Sequence, residues 1–525
     1  MPSQPPSLTL PGLVTHHAAC SGDAEAVVAG ETRLSYSALE AQASRAARGL
    51  RSLGVRPGDR VAVLMGNRAE WIVVAVAVAA LGATTVAVNT WCTSREIDYV
   101  LNHSRARLLV CSARYIRRDY ARDIEALRTE GRLPHLQSVV GIGGDLPAAW
   151  LSWAALLNAG STGAAAELPQ GARPRDIAYI LYTSGSTSAP KGVQLLHGDL
   201  VENTWHIGER QQMTPADRLW LAVSLFWGFG CSNAMPAMLS HGGCIVLQES
   251  FDAAQALALI ERERCSVLYG TPNMIQALVE HPDRTTRDLS SLRTGATLGS
   301  PEQLRRAASL APGICNVYGL TEIYGNCHAT SASDPLELRL RSSGRPVDGV
   351  SQRIVDVDSG RLLGPGEVGE IRVKGRVTPG YLDDPKQTAG AFDEDGYFRT
   401  GDLGCVDEEG NLQFRGRLKE LVKTGGINVS PAEIEAVLMT HPGVAHALVA
   451  GVPDPTRDEV LAAVVIPRAG CAPTEEDLRS HCRRLLAIYK VPTLIRLSTE
   501  DALPLTSTGK VQKNRLAHVF FGAPA

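Results

Sequence analysis

Along the first third of the chain, apolar residues alternate between the 3.6-residue spacing of an amphipathic helix and the short unbroken runs of a buried strand. Leu39, Ala43, Ala46, Leu50 and Leu53 fall on one helical face. Ser37 and Glu40 stand three apart at its start, the spacing of a capping box, and Gly54 ends it. Pro57-Gly58 then turns the chain into an apolar strand over residues 60–65. Residues 71–88 (WIVVAVAVAALGATTVAV) run 18 positions without a charge, the lower edge of a membrane span. Gly82 interrupts them, and β-branched residues follow it where helix formers precede it. A buried helix, a glycine cap and a buried strand are predicted, and no membrane span.

The rhythm resumes with a strand at 243–247, a helix at 254–262 and a strand at 266–269. Such alternation predicts an α/β fold with a mostly parallel sheet. From about residue 344 the texture changes to turns and short strands (352–357, 369–373, 410–414), as expected of a small β-barrel-like subdomain. After Gly416 come a strand and a second capping box, Ser430 with Glu433, carrying Pro431 at the first helical position. Strands at 445–451 and 461–466 and a helix at 475–487 complete a compact unit. The predicted organisation is a large N-terminal domain, residues 1–418, of α/β subdomains plus the β-barrel-like subdomain. A small α+β C-terminal domain, residues 419–525, follows it.

Length and composition narrow the function. At 525 residues the chain is too long for a single core. With 44% hydrophobic and 20% charged residues it has the balance of a globular protein. A net charge of -3 without a basic tail argues against a nucleic-acid partner. Eleven cysteines without a CxxC pair suggest neither a disulfide framework nor a zinc cluster. The first residues show no secretory pattern, so a cytoplasmic enzyme is expected.

Candidate chemistry centres on YTSGSTSAPKG, residues 182–192, after the apolar run IAYIL. Hydroxyls, glycines and a lysine packed this closely offer donors and a cation to a polyphosphate. Pro190 before Lys191 excludes a Walker A loop. Ser188 and Lys191 also fit S-x-x-K, and residues 423–425 read KTG, as in penicillin-recognising acyl-enzymes. That chemistry needs Ser and Lys on one helix, which Pro190 disfavours, and no S-D-N lies between them. Only 8 of the 52 basic side chains are lysine. A chain this rich in arginine keeps lysine where a compact ammonium is needed, and Lys191, Lys419, Lys423 and Lys510 all sit in glycine-rich loops.

These residues resemble the adenylate-forming superfamily, most closely its acyl-CoA synthetases. Beyond the phosphate loop, YGLTE (318–322), GEIRVKG (369–375), TGD (400–402), GRLKELVKTGGINVSPAEIE (416–435) and LPLTSTGK (503–510) come in the family's order. The resemblance implies two half-reactions. A carboxylate attacks the α-phosphate of ATP to give an acyl-adenylate and pyrophosphate, and the thiol of coenzyme A then displaces AMP.

By the same resemblance, Thr183, Ser184, Gly185, Ser186, Thr187 and Lys191 hold the β- and γ-phosphates. Tyr318 and Gly319 lie along the adenine, Thr321 touches the α-phosphate, and Glu322 ligates Mg²⁺, a cation that takes carboxylate oxygen. Asp402 accepts the ribose hydroxyls, supported by Arg417. Lys510 stabilises charge developing during adenylation. Lys423, Gly425 and Gly426 form the coenzyme A tunnel used in the second step, and Lys419 is the hinge on which the small C-terminal domain moves.

The acyl pocket is expected from Phe226, Trp227, Gly228, Gly230, Asn233, Thr294, Gly295, Tyr324 and Gly325. Trp227 replaces a histidine common in relatives, Ser188 a loop glycine, and Asp458 a glycine of the small domain. Relatives that activate amino acids usually carry an aspartate after this phenylalanine. Trp227 offers no counter-charge to an ammonium, so the lining suits a bulky hydrophobic acid, whether aromatic, polycyclic or medium-chain. The expected partner is thus a small carboxylic acid. A homodimer, and a separate carrier protein whose phosphopantetheine takes the acyl group in place of coenzyme A, are the alternatives.

Overall fold

The computed structural model describes residues 4–161, 167–183, 190–424, 427–454, 458–486, 488–505 and 511–523. By internal contacts the chain divides into two compact units, Met1–Ser351 with Val373–Phe398 and Gln352–Arg372 with Arg399–Ala525. Residue 418, where the sequence suggests a boundary, falls inside the second unit.

The uncharged run folds as its composition predicts. Helix Ala69–Ala80 is buried at every position except Glu70, Gly82 adopts φ +69°, and strand Thr84–Ala87 is fully buried. A helix apolar all round belongs inside a protein when neighbours can cover it. Here helices Leu10–Ser21 and Tyr36–Ser52 do so. At 12 residues it is too short to cross a bilayer, and no described helix is long and apolar enough to do so.

Two sheets organise the first unit. The seven-stranded sheet runs Lys191–Leu196, Ile177–Thr183, Thr84–Ala87, Arg60–Leu64, Leu108–Ser112, Ser138–Ile142, Leu151–Ser152. All its pairs are parallel except the first, which is a hairpin. The nine-stranded sheet has a parallel centre built from Glu25–Ala29, Cys244–Leu247, Arg218–Leu221, Val267–Tyr269, Thr294–Thr297 and Gly313–Tyr318. Antiparallel strands close it at both margins.

The second unit holds a four-stranded sheet, ordered Ser351–Val355, Gly369–Lys374, Phe398–Val406, Leu412–Arg417. The last strand starts later than expected because Gly410, at φ +82°, belongs to the turn. A five-stranded sheet comes next, built on the hairpin of Val444–Asp454 with Asp458–Pro467. Helices Pro431–Met439 and Glu475–Leu485 contribute Ile434, Leu438, Leu478 and Cys482 to its core.

Neither expected capping box forms. Tyr36 is buried, with its hydroxyl donating to the Gly243 carbonyl (2.8 Å), and the helix starts two residues earlier than expected. Ser35 is the cap, accepting from Ala38 N, and Glu40 instead accepts from Thr15 Oγ1 (2.7 Å). Ser430 does cap helix Pro431–Met439 by position, but its hydroxyl donates to the Arg415 carbonyl (2.6 Å). Glu433 pairs with Lys490 (2.7 Å). Distant partners outcompete local ones at both helix starts.

A polar knot near the C-terminus is worth a direct test. Lys513 Nζ reaches Glu435 (2.8 Å) and Glu420 (3.2 Å), and Glu435 also accepts from Val449 N (2.7 Å). Burial lifts the Glu435 carboxyl above its usual range. Burial also opposes the charge on Lys513, but the two carboxylates more than offset it and raise its pKa. Lys513→Met leaves Glu435 without its cation and should destabilise the fold by about 3 kcal/mol, the low end for a broken buried pair. The low end applies because 24% of the lysine side chain is exposed. A carboxyl whose folded pKa is raised loses stability as pH climbs above its unfolded value. The deficit in denaturant-derived stability should therefore be larger at pH 8 than at pH 5. An equal deficit at both would mean that Glu435 is not the anion Lys513 balances.

Candidate active site

In the first unit, the strands flanking the phosphate loop pair so that Thr183 lies opposite Lys191. Ser184, Gly185, Ser186, Thr187 and Ser188 lie outside the described residues. Tyr99 Oη donates to the Pro190 carbonyl (3.0 Å) and fixes the backbone just before Lys191. The Lys191 ammonium sits 4.9 Å from the centroid of the Tyr381 ring, a cation–π distance. Tyr381 Oη in turn donates to Glu322 Oε1 (3.1 Å). One tyrosine thus joins Lys191 to Glu322. Burial and the Glu322 charge both raise its pKa, so it stays a neutral donor.

Glu322 rides on a single 3₁₀ turn, Thr321–Ile323, whose shape is held from both ends. Its carbonyl accepts from Thr378 N (2.7 Å), and Tyr324 closes the turn in the left-handed region at φ +59°. That conformation is uncommon for an aromatic residue and needs support. Tyr324 has it: the ring is buried, and its hydroxyl accepts from Leu196 N (3.1 Å) and donates to Asp199 (3.2 Å). Glu322 suits Mg²⁺, which binds through one or two carboxylates plus substrate phosphates rather than in an all-protein cage. No cluster of three or more potential ligands occurs among the described residues.

The residues expected of an acyl pocket adjoin this turn. A Cβ placed on Gly228 would lie 3.6 Å from Thr321 Oγ1, and one on Gly325 would lie 3.2 Å from the Gly228 carbonyl. Phe226 is buried and Trp227 half-buried, and both meet Trp91 edge-on at centroid distances of 5.3 and 4.8 Å. The Trp91 backbone N–H donates to Asn89 Oδ1 (2.8 Å). Trp91 carried no signal in the sequence because its aromatic partners lie far along the chain.

Gly230 opens a π-helical turn, Gly230–Ala234, and passes so near Ser224 that a Cβ would come within 2.4 Å of its carbonyl oxygen. Thr294 uses its hydroxyl on the Gly313 carbonyl (3.2 Å), inside the nine-stranded sheet. Gly295 lets the neighbouring strand approach, since a Cβ there would lie 2.0 Å from Leu268 O. Tyr318 is buried at the end of strand Gly313–Tyr318, its ring 5.6 Å from His328. Gly319 has no room for a side chain beside Gly325 O (2.1 Å).

In the second unit, Asp402 and Arg417 are register partners across a strand pair, with Arg417 Nε 3.3 Å from Asp402 Oδ1. The aspartate is buried and the arginine half-exposed. Lys419 stands in the 3₁₀ turn Leu418–Glu420. Lys423 is exposed on strand Val422–Thr424, its N–H donating to Glu459 (2.8 Å). Gly425, Gly426, Lys510 and the Asp458 side chain lie outside the described residues.

Comparison with known proteins places the chain in a family. The AMP-binding enzyme family matches residues 14–382, and the AMP-binding enzyme C-terminal domain matches residues 433–510. A methyl-dioxo-octahydro-indenyl propanoyl:CoA ligase of Rhodococcus jostii (strain RHA1) is 34% identical, covering 97% of this chain and 98% of its own. A feruloyl-CoA synthase of an Amycolatopsis species is also 34% identical, with coverages of 95% and 96%. Among solved structures, an anthranilate CoA ligase bound to anthranoyl-AMP superposes with a TM-score of 0.87 at 27% identity, covering 98% of this chain and 97% of that one. These relatives are ligases to coenzyme A, which favours it over a carrier protein as the acyl acceptor. The chain belongs to the AMP-binding enzyme family, as an AMP-forming ligase that uses ATP, Mg²⁺ and coenzyme A to make an acyl thioester.

Proposed function

We propose that the acid is bulky and largely apolar, aromatic or polycyclic, and that it packs against Trp91, Phe226 and Trp227. The observation behind this is the edge-on aromatic group next to Gly228, whose missing side chain leaves Thr321 within reach. The acids named for three relatives (feruloyl, anthranilate and a fused-ring propanoate) point the same way.

In this reading, Thr321 and Lys191 orient the phosphates so that a carboxylate oxygen attacks the α-phosphorus while pyrophosphate leaves. Lys191 is steadied by Tyr381 and Tyr99. Mg²⁺, held by Glu322 and the phosphates, supplies charge neutralisation when bound. Asp402 and Arg417 hold the ribose. Lys510 meets the charge that grows on the α-phosphate, and the coenzyme A thiol later reaches the acyl carbon past Lys423, Gly425 and Gly426. Residues 419–525 turn about Lys419 between the two steps.

The test is acid-dependent ATP–pyrophosphate exchange over a library of acids, repeated with coenzyme A and thioester detection. Arylpropenoic or fused-ring acids should lead. Preference for acetate or short unbranched acids would overturn the proposal. Trp227→Ala should change the ratio of kcat/KM between large and small acids by at least about tenfold, because one indole is removed from the wall. The KM for ATP should stay put. A shift in ATP binding with an unchanged acid profile would make Trp227 a packing residue.

A further inference from the structure

Asn233 occupies the fourth position of the π-helical turn Gly230–Ala234 and is completely buried. Neither its carboxamide nitrogen nor its oxygen finds a hydrogen-bond partner among the described residues. Buried amides are almost always bonded, and an open one is destabilising. Single-turn π-helices also recur at functional sites, where they turn a side chain out of the ordinary helical register.

Two neighbours share the condition. Asn203, buried on helix His197–Arg210, donates Nδ2 to the Asn326 carbonyl (2.7 Å) and leaves Oδ1 open. Asn326 is buried with Nδ2 open. The three converge on Gly325-Asn326, since a Cβ on Gly325 would stand 3.3 Å from Asn233 Cβ. That glycine also borders the Gly228 carbonyl, and Gly228 borders Thr321. Gly325 and Gly228 therefore link the cluster to Thr321, the residue given the α-phosphate in the proposed function. Whichever way the Asn233 amide is turned, it offers one donor and one acceptor.

We infer that this carboxamide cluster reads a neutral oxygen function, hydroxyl or carbonyl, on the acid. The substrate class is then a bulky apolar acid bearing such a group rather than a plain hydrocarbon acid. This rests on the acyl-pocket reading above and narrows it. An acid that fills the cluster satisfies groups the free enzyme leaves open, whereas its unsubstituted analogue leaves them buried and unpaired. A site of that kind discriminates strongly.

The experiment compares pyrophosphate exchange with cinnamic acid and its three monohydroxylated ring isomers, and with 1-naphthoic acid and hydroxylated naphthoic acids. Wild type and Asn233→Leu are measured side by side. At least one oxygenated acid should exceed its parent in kcat/KM by more than about tenfold, and Asn233→Leu should bring that ratio close to one. Because the open amide strains the free enzyme, Asn233→Leu should also raise its melting temperature, by about 2 °C. A structural asparagine would lower it.

Parents activated as well as all their oxygenated derivatives would overturn the inference while leaving the bulky-acid proposal standing. So would an unchanged ratio in Asn233→Leu, which would mean that ordered water fills the cluster. If the leucine variant does not fold, Asn233→Ser keeps the bulk low and carries the same ratio test. Exchange with short acids and none with either ring series would instead sink the bulky-acid proposal itself.

Discussion

Replacing Lys510 with alanine is expected to slow acid-dependent ATP–pyrophosphate exchange by about 100- to 1,000-fold, while thioester formation from supplied acyl-adenylate largely survives. The size reflects the role of the residue. A charge aimed at oxygens that become more negative only as the α-phosphorus is attacked contributes to the transition state and little to the ground state. Its loss should lower kcat with a much smaller change in the KM for ATP. The second half-reaction breaks the bond between acyl carbon and phosphate oxygen and places its demand for charge elsewhere. Arginine at 510 should restore little, because a planar fork does not replace a compact ammonium. The check is each half-reaction measured separately on folded protein. Equal losses in both would show that Lys510 serves binding or folding rather than adenylation.

Lys419→Pro should retain adenylation and lose thioester formation by a similar factor. The turn Leu418–Glu420 is 3₁₀, so its φ values lie near the −65° that proline imposes, and proline holds the turn in that shape. A hinge must leave that region to rotate the chain beyond it. On the proposed rotation, the step also breaks a bond. Ser430 Oγ, beyond the hinge, donates to the Arg415 carbonyl before it, and a Cβ on Gly416 would lie 2.6 Å from the same hydroxyl oxygen. Proline also crowds Leu418, so a thermal melt must accompany the kinetics. Unchanged rates in both half-reactions would mean that residues 419–525 do not turn at Lys419.

The local elements were readable because their causes are local. Ten consecutive buried residues in Ala69–Ala80, the left-handed Gly82 and the β-branched strand after it each depend on neighbours within a few positions. The motifs that carry the chemistry were readable for the same reason. Glycines, hydroxyls and a lysine must be consecutive to wrap a phosphate, so YTSGSTSAPKG and YGLTE announce themselves.

Local rules failed where a distant group made a better offer. Ser37 with Glu40, and Ser430 with Glu433, have the right spacing for capping boxes. Tyr36 reaching Gly243, Thr15 reaching Glu40, and Arg415 and Lys490 reaching the second pair decided otherwise. The supports of the site belong to this class. Tyr381 meets Glu322 across 59 positions of sequence, Tyr99 meets Pro190 across 91, and Trp91 meets Trp227 across a still longer stretch. No periodicity expresses such pairs, since each joins segments far apart in sequence: Tyr99 stands on helix Ser94–His103, Glu322 on a 3₁₀ turn, and Trp91 and Trp227 outside any strand. The sequence alone therefore determined the elements, the nucleotide motifs and the class of reaction. Tertiary structure decided which side chains steady the lysine and the carboxylate, and that three asparagines come together beside Gly325 with amide atoms unpaired by other protein groups, because only long-range packing brings such groups together.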